Sequence, residues 1–302
     1  MENYRPGVMD KLGIGYEALS AVNPKLIYCA VSGFGQTGPE RTTAAYDGKI
    51  QAMSGIMSIT GHPAHGPTRA GFAVCDAIGG MTAAFAVSAA LYQRTHTGCG
   101  QLVDVAMLDA ALTFISAFVV DYTVGGHVQG QSGNRAQSRL PTADLFRCKG
   151  GFILLAVNNE KQFDALARAI GHPDLAQDPR FTDWPARAEH EPALRAIIET
   201  VFADADAKTW ELWLTQGDVP CSSVWTIPEI VEHPQVVSRG VLQTVDSPWG
   251  PLRLVGSGFQ LAHGTGSIER APVLPGADTQ AILAEAGYDA AAIAELRHAG
   301  AI

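Results

Sequence analysis

The chain has 302 residues, 47% of them hydrophobic and 17% charged, enough to bury a sizeable core in one large or two ordinary domains. A formal net charge of −9 argues against a general nucleic-acid binder, while leaving room for local basic contacts to a phosphorylated small molecule. Five cysteines (Cys29, Cys75, Cys99, Cys148 and Cys221) are widely spaced with no CxxC pair, which predicts reduced thiols in a cytoplasmic protein and no zinc site.

In chain order, "MENYRPGVMDKLG" lacks a charged segment followed by an apolar one, so it does not read as a signal peptide. Residues 8–22 predict a helix that stops before Asn23 and Pro24. "KLIYCAVSGFG" (25–35) predicts a short strand running into a glycine-rich turn, the pattern of a ligand-facing carboxyl edge in an α/β sheet. "AAYDGKIQAMSGIMSITG" (44–61) predicts one helix ending near a glycine. A further helix is expected over 77–94, and "LVDVAMLDAALTFISAFVVDYTVGG" a strand start merging into a long core helix. Residues 77–91 and 102–120 fall short of the ~20 strongly apolar residues of a membrane span and predict core helices of a soluble protein.

The composition turns to Gly, Gln, Ser, Asn and Arg over 126–141, as in a linker. Beyond it come a strand at 151–157, a capped helix ending at Gly171 and two amphipathic helices in "EPALRAIIETVFA" and "AKTWELWLTQG". After Pro228 the reading gives an extended hairpin turning at Pro248, Trp249 and Gly250, then two short helices within 278–299. The expected domains are 1–130, a linker 131–141, a small α+β domain 142–228, and 229–302 returning to the large domain to bury Ile282, Leu283, Ile293 and Leu296.

Two features invite chemistry. "SGFGQTG" (32–38) matches GxGxxG only loosely and lacks GxxxxGK[ST], so it reads as a tight turn rather than a dinucleotide site. "RAGFAVCDAIGGMTAAFAVSAALYQR" (69–94) holds one acidic residue, Asp76, amid apolar and small residues. One reading makes Asp76 an N-cap accepting the orphan amides of the next turn; the other makes it a catalytic carboxylate, and both can hold. Cys75 beside it reads as a small buried hydrophobe before it reads as a nucleophile. Gly79 and Gly80, one turn into a helix, suggest that another helix or a substrate packs close.

"ENYRPGVMDKLGIGYEALSAVNPKLIYCAVSGFGQTGP", "YDGKIQAMSGIMSITG", "DAIGGMTAAFAVSAALYQRTHTGCGQLVDVAMLDAAL", "DPRFTDWPARAEH", "VEHPQVVSRG" and the closing "YDAAAIAELRHAGAI" resemble the class III CoA-transferases. This is the CaiB/BaiF family of formyl-CoA:oxalate and carnitine CoA-transferases and α-methylacyl-CoA racemases. The resemblance implies an α/β fold: a Rossmann-like large domain, a smaller α+β domain and an interlocked homodimer of ring-shaped chains. Family members carry a βαβ segment before the "ENYRPG" motif, so the large domain is expected to be incomplete here.

The resemblance also implies substrates and roles: an acyl-CoA donor, a carboxylic acid acceptor, and coenzyme A as substrate and product, while cysteine spacing, charge and the length of the apolar runs predict no metal, nucleic acid or membrane. Asp76 would attack the thioester through anhydride and aspartyl-CoA intermediates, shielded from water by its apolar surroundings. Asn3, Tyr4, Lys11, Leu12, Tyr46 and Met107 match positions that contact CoA, and "VGSGF" (255–259) is a candidate mobile glycine loop. Racemases carry a His where this chain has Tyr46; a phenol, with a pKa of ~10 in water, is a poor base at neutral pH. Tyr46 therefore favours the transferase branch. The alternatives are an acyl-CoA racemase or epimerase and a non-catalytic remnant of the fold.

Overall fold

The computed structural model describes residues 1–264 and 266–302, which fall into two compact units, Met1–Val224 and Trp225–Ile302. The first unit opens with α1 (Val8–Lys11) and α2 (Tyr16–Val22). These replace the single helix expected over 8–22, because Gly13 turns the backbone to φ 74°, outside the helical region. Strand β1 (Ile27–Ser32) follows, then α3 (Asp47–Met53) and α4 (Ile56–Ile59), divided at Gly55 with φ 88° where one helix was expected. Helix α5 (Val74–Thr97) leads to β2 (Gln101–Ala106), α6 (Met107–Phe114) and α7 (Ser116–Gly125). The expected long core helix is thus two helices, bent by 75° at Ile115.

β1 and β2 pair in parallel from Ile27 opposite Gln101 to Ser32 opposite Ala106. One side of α5 lies on them, burying Ala83 and Ala90 with Cys29, Val103 and Val105. Small side chains on the helix let it approach the sheet closely. The other side leaves Met81, Phe85 and Tyr92 at least 70% exposed. Contrary to the sequence expectation, α5 is long and apolar enough by length and composition to cross a membrane, and 28% of its most apolar window is buried here.

The polar stretch after α7 has no helix or strand, yet it is tied down. Gln131 donates to the carbonyls of Thr60 and Gly66, and Arg135 pairs with Glu191 and Asp144. Beyond it are β3 (Leu145–Arg147), β4 (Phe152–Leu155), α8 (Glu160–Ala169), a 3₁₀ turn at Pro173–Ala176, α9 (Trp184–Glu189), α10 (Glu191–Phe202), α11 (Ala207–Gln216) and β5 (Cys221–Ser223). The strands form an antiparallel sheet in the order β3-β4-β5. Asn159 caps α8 and Gly171 leaves it at φ 77°, as their sequence pattern predicts.

The core of this half is aromatic. Phe146, Phe163, Phe181 and Phe202 are at most 1% exposed, and each such burial contributes about 1.5–3 kcal/mol. Arg187 is buried among them, its guanidinium carbon 3.7 Å from the centre of the Phe163 ring and 4.4 Å from that of Trp184. Its Nε–H donates to the Phe181 carbonyl at 2.7 Å and one Nη to Glu160 at 2.5 Å. The "DPRFTDWPARAEH" segment is therefore held by its own side chains, with Asp183 capping α9.

In the second unit come α12 (Ile227–Ile230), α13 (Pro234–Arg239), the antiparallel hairpin of β6 (Leu242–Val245) and β7 (Leu252–Val255), α14 (Thr279–Glu285) and α15 (Ala290–His298). The Gly250 N–H donates to the Ser247 carbonyl across the turn, as expected around Pro248 and Trp249. Ile293 is buried, whereas Ile282 is 61% exposed.

Candidate functional site

Both parallel strands deliver their carboxyl ends to one place. β1 runs out into Gly33 and β2 into Met107, and both residues line a cavity of about 630 Å³ shared with Asn3, Tyr46, Asp76 and Gly80. Four of the seven site residues expected from the sequence therefore meet here. Asn3 arrives because Glu2 joins the edge of β1: its N–H donates to the Cys29 carbonyl, and its own carbonyl accepts the Val31 N–H, each at 2.9 Å. Tyr4 lines a smaller adjoining cavity of about 230 Å³ with Arg5, Arg41 and Tyr46. Lys11 and Leu12 sit exposed at the end of α1 and line neither cavity.

Asp76 is the third residue of α5, not its N-cap. The helix begins earlier than its apolar pattern suggests, and Ala73, at the cap position, has no side-chain acceptor. Among the described residues the Asp76 carboxylate has no hydrogen-bond partner, so the expected cradle of backbone amides does not form. The residue is also exposed rather than enclosed in a dry pocket. Desolvation of the carboxyl, followed by the negative charge of Asp47, holds its pKa above the ordinary value. A cap would have lowered it. The first turn of α5 still favours a negative group through the helix dipole.

Tyr46 is the N-cap residue of α3; it is 80% exposed and lines the cavity wall. Met107 is half-buried; its Cγ would lie 3.4 Å from a Cβ placed on Gly79, an ordinary packing distance. Nothing stands within 4 Å of the corresponding point on Gly80, which opens onto the cavity. The close neighbour inferred at these glycines is thus Met107 at Gly79, with free space at Gly80.

Gly33 has a different reason to be glycine: a Cβ there would overlap the Cβ of Ala45, so its absence lets the end of β1 press against the segment that carries Tyr46. The rest of the glycine turn uses its amides internally. Gly35 N–H donates to Ser32 Oγ and Gln36 N–H to Asp104, each at 3.0 Å, which agrees with a tight turn rather than a phosphate cradle.

Cys75 is fully buried, and burial, with Asp47 and Asp76 nearby, pushes its thiol up to about 11. It is protonated at neutral pH and serves packing. Among the described residues no group of three or more His, Cys, Asp or Glu could hold a metal ion.

Sequence reasoning missed Asp47, Arg5 and Arg41. Asp47 reads only as an acidic residue opening a helix, and its neighbours in space, Arg69 and Cys75, are 22 and 28 residues away. The two arginines lie in segments without periodicity, where no pattern marks a cavity wall.

The CoA-transferase family III profile matches residues 1–279. An acetyl-CoA:oxalate CoA-transferase of Acetobacter aceti is 38% identical over 87% of this chain and 68% of its own length. A succinyl-CoA–D-citramalate CoA-transferase of Chloroflexus aurantiacus is 34% identical over 82% of this chain and 62% of its own length. The chain thus spans about two thirds of the length of these curated relatives. A crystal structure of a CAIB/BAIF family protein from Brucella suis superposes with a TM-score of 0.83 at 32% identity, covering 94% of this chain and 74% of that one.

Proposed function

The chain belongs to CoA-transferase family III, and from that premise we propose that it moves CoA from an acyl-CoA donor to a carboxylic acid, with Asp76 as the nucleophile. The observation that carries the reading is the convergence of Asp76, Tyr46, Asn3 and Met107 on one cavity at the carboxyl ends of two parallel strands. A cavity of about 630 Å³ is within the range of small-molecule binding sites, ~300–1,000 Å³.

In this mechanism a carboxylate oxygen of Asp76 attacks the thioester carbonyl carbon. The C–S bond breaks, leaving an acyl-aspartyl anhydride and CoA thiolate. The thiolate then attacks the aspartyl carbonyl, releasing the donor acid and forming an aspartyl-CoA thioester. An acceptor carboxylate displaces the thiolate to give a second anhydride, and the thiolate attacks its acceptor carbonyl, restoring Asp76 and yielding the new acyl-CoA. Each step exchanges one acyl bond for another, so no oxidant or metal is consumed. Raised basicity at Asp76 makes the ionised carboxylate the better nucleophile.

Tyr46, which lines the cavity, supplies a face along which the CoA chain lies, and Asn3 and Met107 complete that wall. Tyr4, Lys11 and Leu12 are assigned to the CoA nucleotide on the strength of the sequence resemblance. The reading includes a homodimer, supported by the exposed Met81, Phe85 and Tyr92 along α5, and a cytoplasmic location, supported by five free cysteines.

Incubating the chain with an acyl-CoA and hydroxylamine tests it. An Asp76 hydroxamate found by peptide mass spectrometry is the expected product. Transfer at the wild-type rate by Asp76→Ala would refute the mechanism.

A further inference from the structure

We propose that Asp47 is the positioning residue of this site: it caps the start of α5 from a neighbouring helix and places a second carboxyl group beside Asp76. The proposal rests on the reading of Asp76 as nucleophile.

Asp47 opens α3 and is 7% exposed. Its Oδ1 accepts the backbone N–H of Cys75 at 2.8 Å, the amide one residue before Asp76. A helix leaves its first amides without partners inside the helix, and Ala73 has no side chain to satisfy them. Asp47 does so from 28 residues away.

The same side chain organises the approach to α5. Its Oδ2 accepts from Gln51 Nε2 at 2.7 Å and from Arg69 Nη2 at 3.4 Å. Gln51, itself fully buried, accepts the Ala70 N–H at 2.9 Å and donates to the Phe72 carbonyl at 3.4 Å. Asp47 and Gln51 together stitch the segment 69–75 onto the first two turns of α3. Tyr46, next to Asp47, lines the cavity that Asp76 also lines, so one junction fixes both.

The charge of Asp47 has a second consequence. Two of its donors are neutral, and the third, Arg69, has a side chain 61% exposed and at long hydrogen-bond range. Asp76 is disfavoured as the carboxylate first by desolvation and then by the neighbouring Asp47. The other titratable groups around Asp76 are Glu2, the Met1 α-amino group and Tyr46 on the cavity wall and Cys75 on its own helix, while Arg69 in the preceding loop faces Asp47.

The 302-residue chain, labelled with 13C at aspartate carboxyls, tests this by NMR titration of Asp76 in wild type and in Asp47→Asn. Asparagine keeps an oxygen for the Cys75 N–H and loses the charge, so the Asp76 midpoint should move down while the far-UV spectrum is unchanged. The pH profile of hydroxamate trapping at Asp76 should move with it. An Asp76 midpoint unmoved by Asp47→Asn overturns the electrostatic half of the proposal. Amide exchange tests the clamp without relying on a variant that folds. The Cys75 amide of the wild type should exchange slowly, and Asp47→Ala should speed it by about fivefold to tenfold. Rapid exchange in the wild type overturns the clamp. Absence of trapping at every pH in the wild type would instead refute the nucleophile reading, and the two NMR measurements distinguish that outcome from failure of this proposal.

Discussion

Gly33, the residue that follows β1, and Ala45, the residue before Tyr46, approach so closely that no side chain fits at position 33. The contact joins the end of the parallel sheet to the entrance of α3. Gly33→Ala should lower stability by about 1–3 kcal/mol, the range for overpacking a tight contact. It should also displace Tyr46 and weaken acyl-CoA binding. Thermal unfolding and KM measured together check this, and a variant with wild-type values of both would contradict the packing argument.

Tyr46 itself carries little of the fold, being 80% exposed. Tyr46→Ala should leave stability within about 0.5 kcal/mol of wild type. If the ring lies along CoA, KM for the thioester should rise by up to about tenfold, as the loss of an aromatic contact predicts. An unchanged KM would remove Tyr46 from the binding surface.

The pH dependence has a definite sign. On the proposed mechanism Asp76 attacks as the carboxylate, and its pKa in the folded chain lies above the ordinary carboxylate value. The rate of acylation should therefore begin to fall, as pH is lowered, sooner than an unperturbed carboxylate near ~3.9 would allow. For stability the same shift acts in the opposite sense. A raised folded-state pKa favours the native state below the ordinary value, and that contribution is lost as pH rises through the folded one. Asp76→Asn should abolish both effects, which stopped-flow acylation and denaturant titration across pH would reveal.

Arg187 tests the aromatic half of the first unit. Its guanidinium lies between Phe163 and Trp184, and one of its Nη atoms is buried without a hydrogen-bond partner. Arg187→Ala would leave a hole beside both rings and should cost about 3 kcal/mol. Arg187→Met, closer in volume, should cost less. Urea unfolding of the two variants gives the comparison, and equal losses would mean that charge rather than volume dominates.

Thiol labelling should follow burial. Cys99 is exposed and should alkylate first in the native chain. Cys75 and Cys148 are buried with thiols pushed up to about 11, so they should react only on unfolding. Early labelling of Cys75 would restore it as a candidate nucleophile.

Local physics was written plainly enough to read element by element. Apolar runs gave β1, β4 and the amphipathic helices α8, α10 and α11, and cap residues marked both ends of α8. Turn chemistry placed the β6–β7 hairpin. Asp76, Tyr46 and the glycine turn also stood out as candidates, because a lone carboxylate in an apolar stretch and long family-like motifs are properties of the chain itself.

Only the folded chain decided how those parts act. The start of α5 three residues before the expected position moved Asp76 from the cap into the first turn, since helix ends depend on whichever group satisfies the free amides. That group is Asp47, supplied by tertiary packing. The breaks at Gly13 and Gly55 depended on positive φ, which a glycine permits and composition does not reveal. The convergence of Asn3, Tyr46, Asp76 and Met107, spread over 105 residues, and the exclusion of Lys11 and Leu12 from that wall were equally beyond pattern. Sequence period sets which face of an element is apolar; the distance between two elements is set by what packs between them.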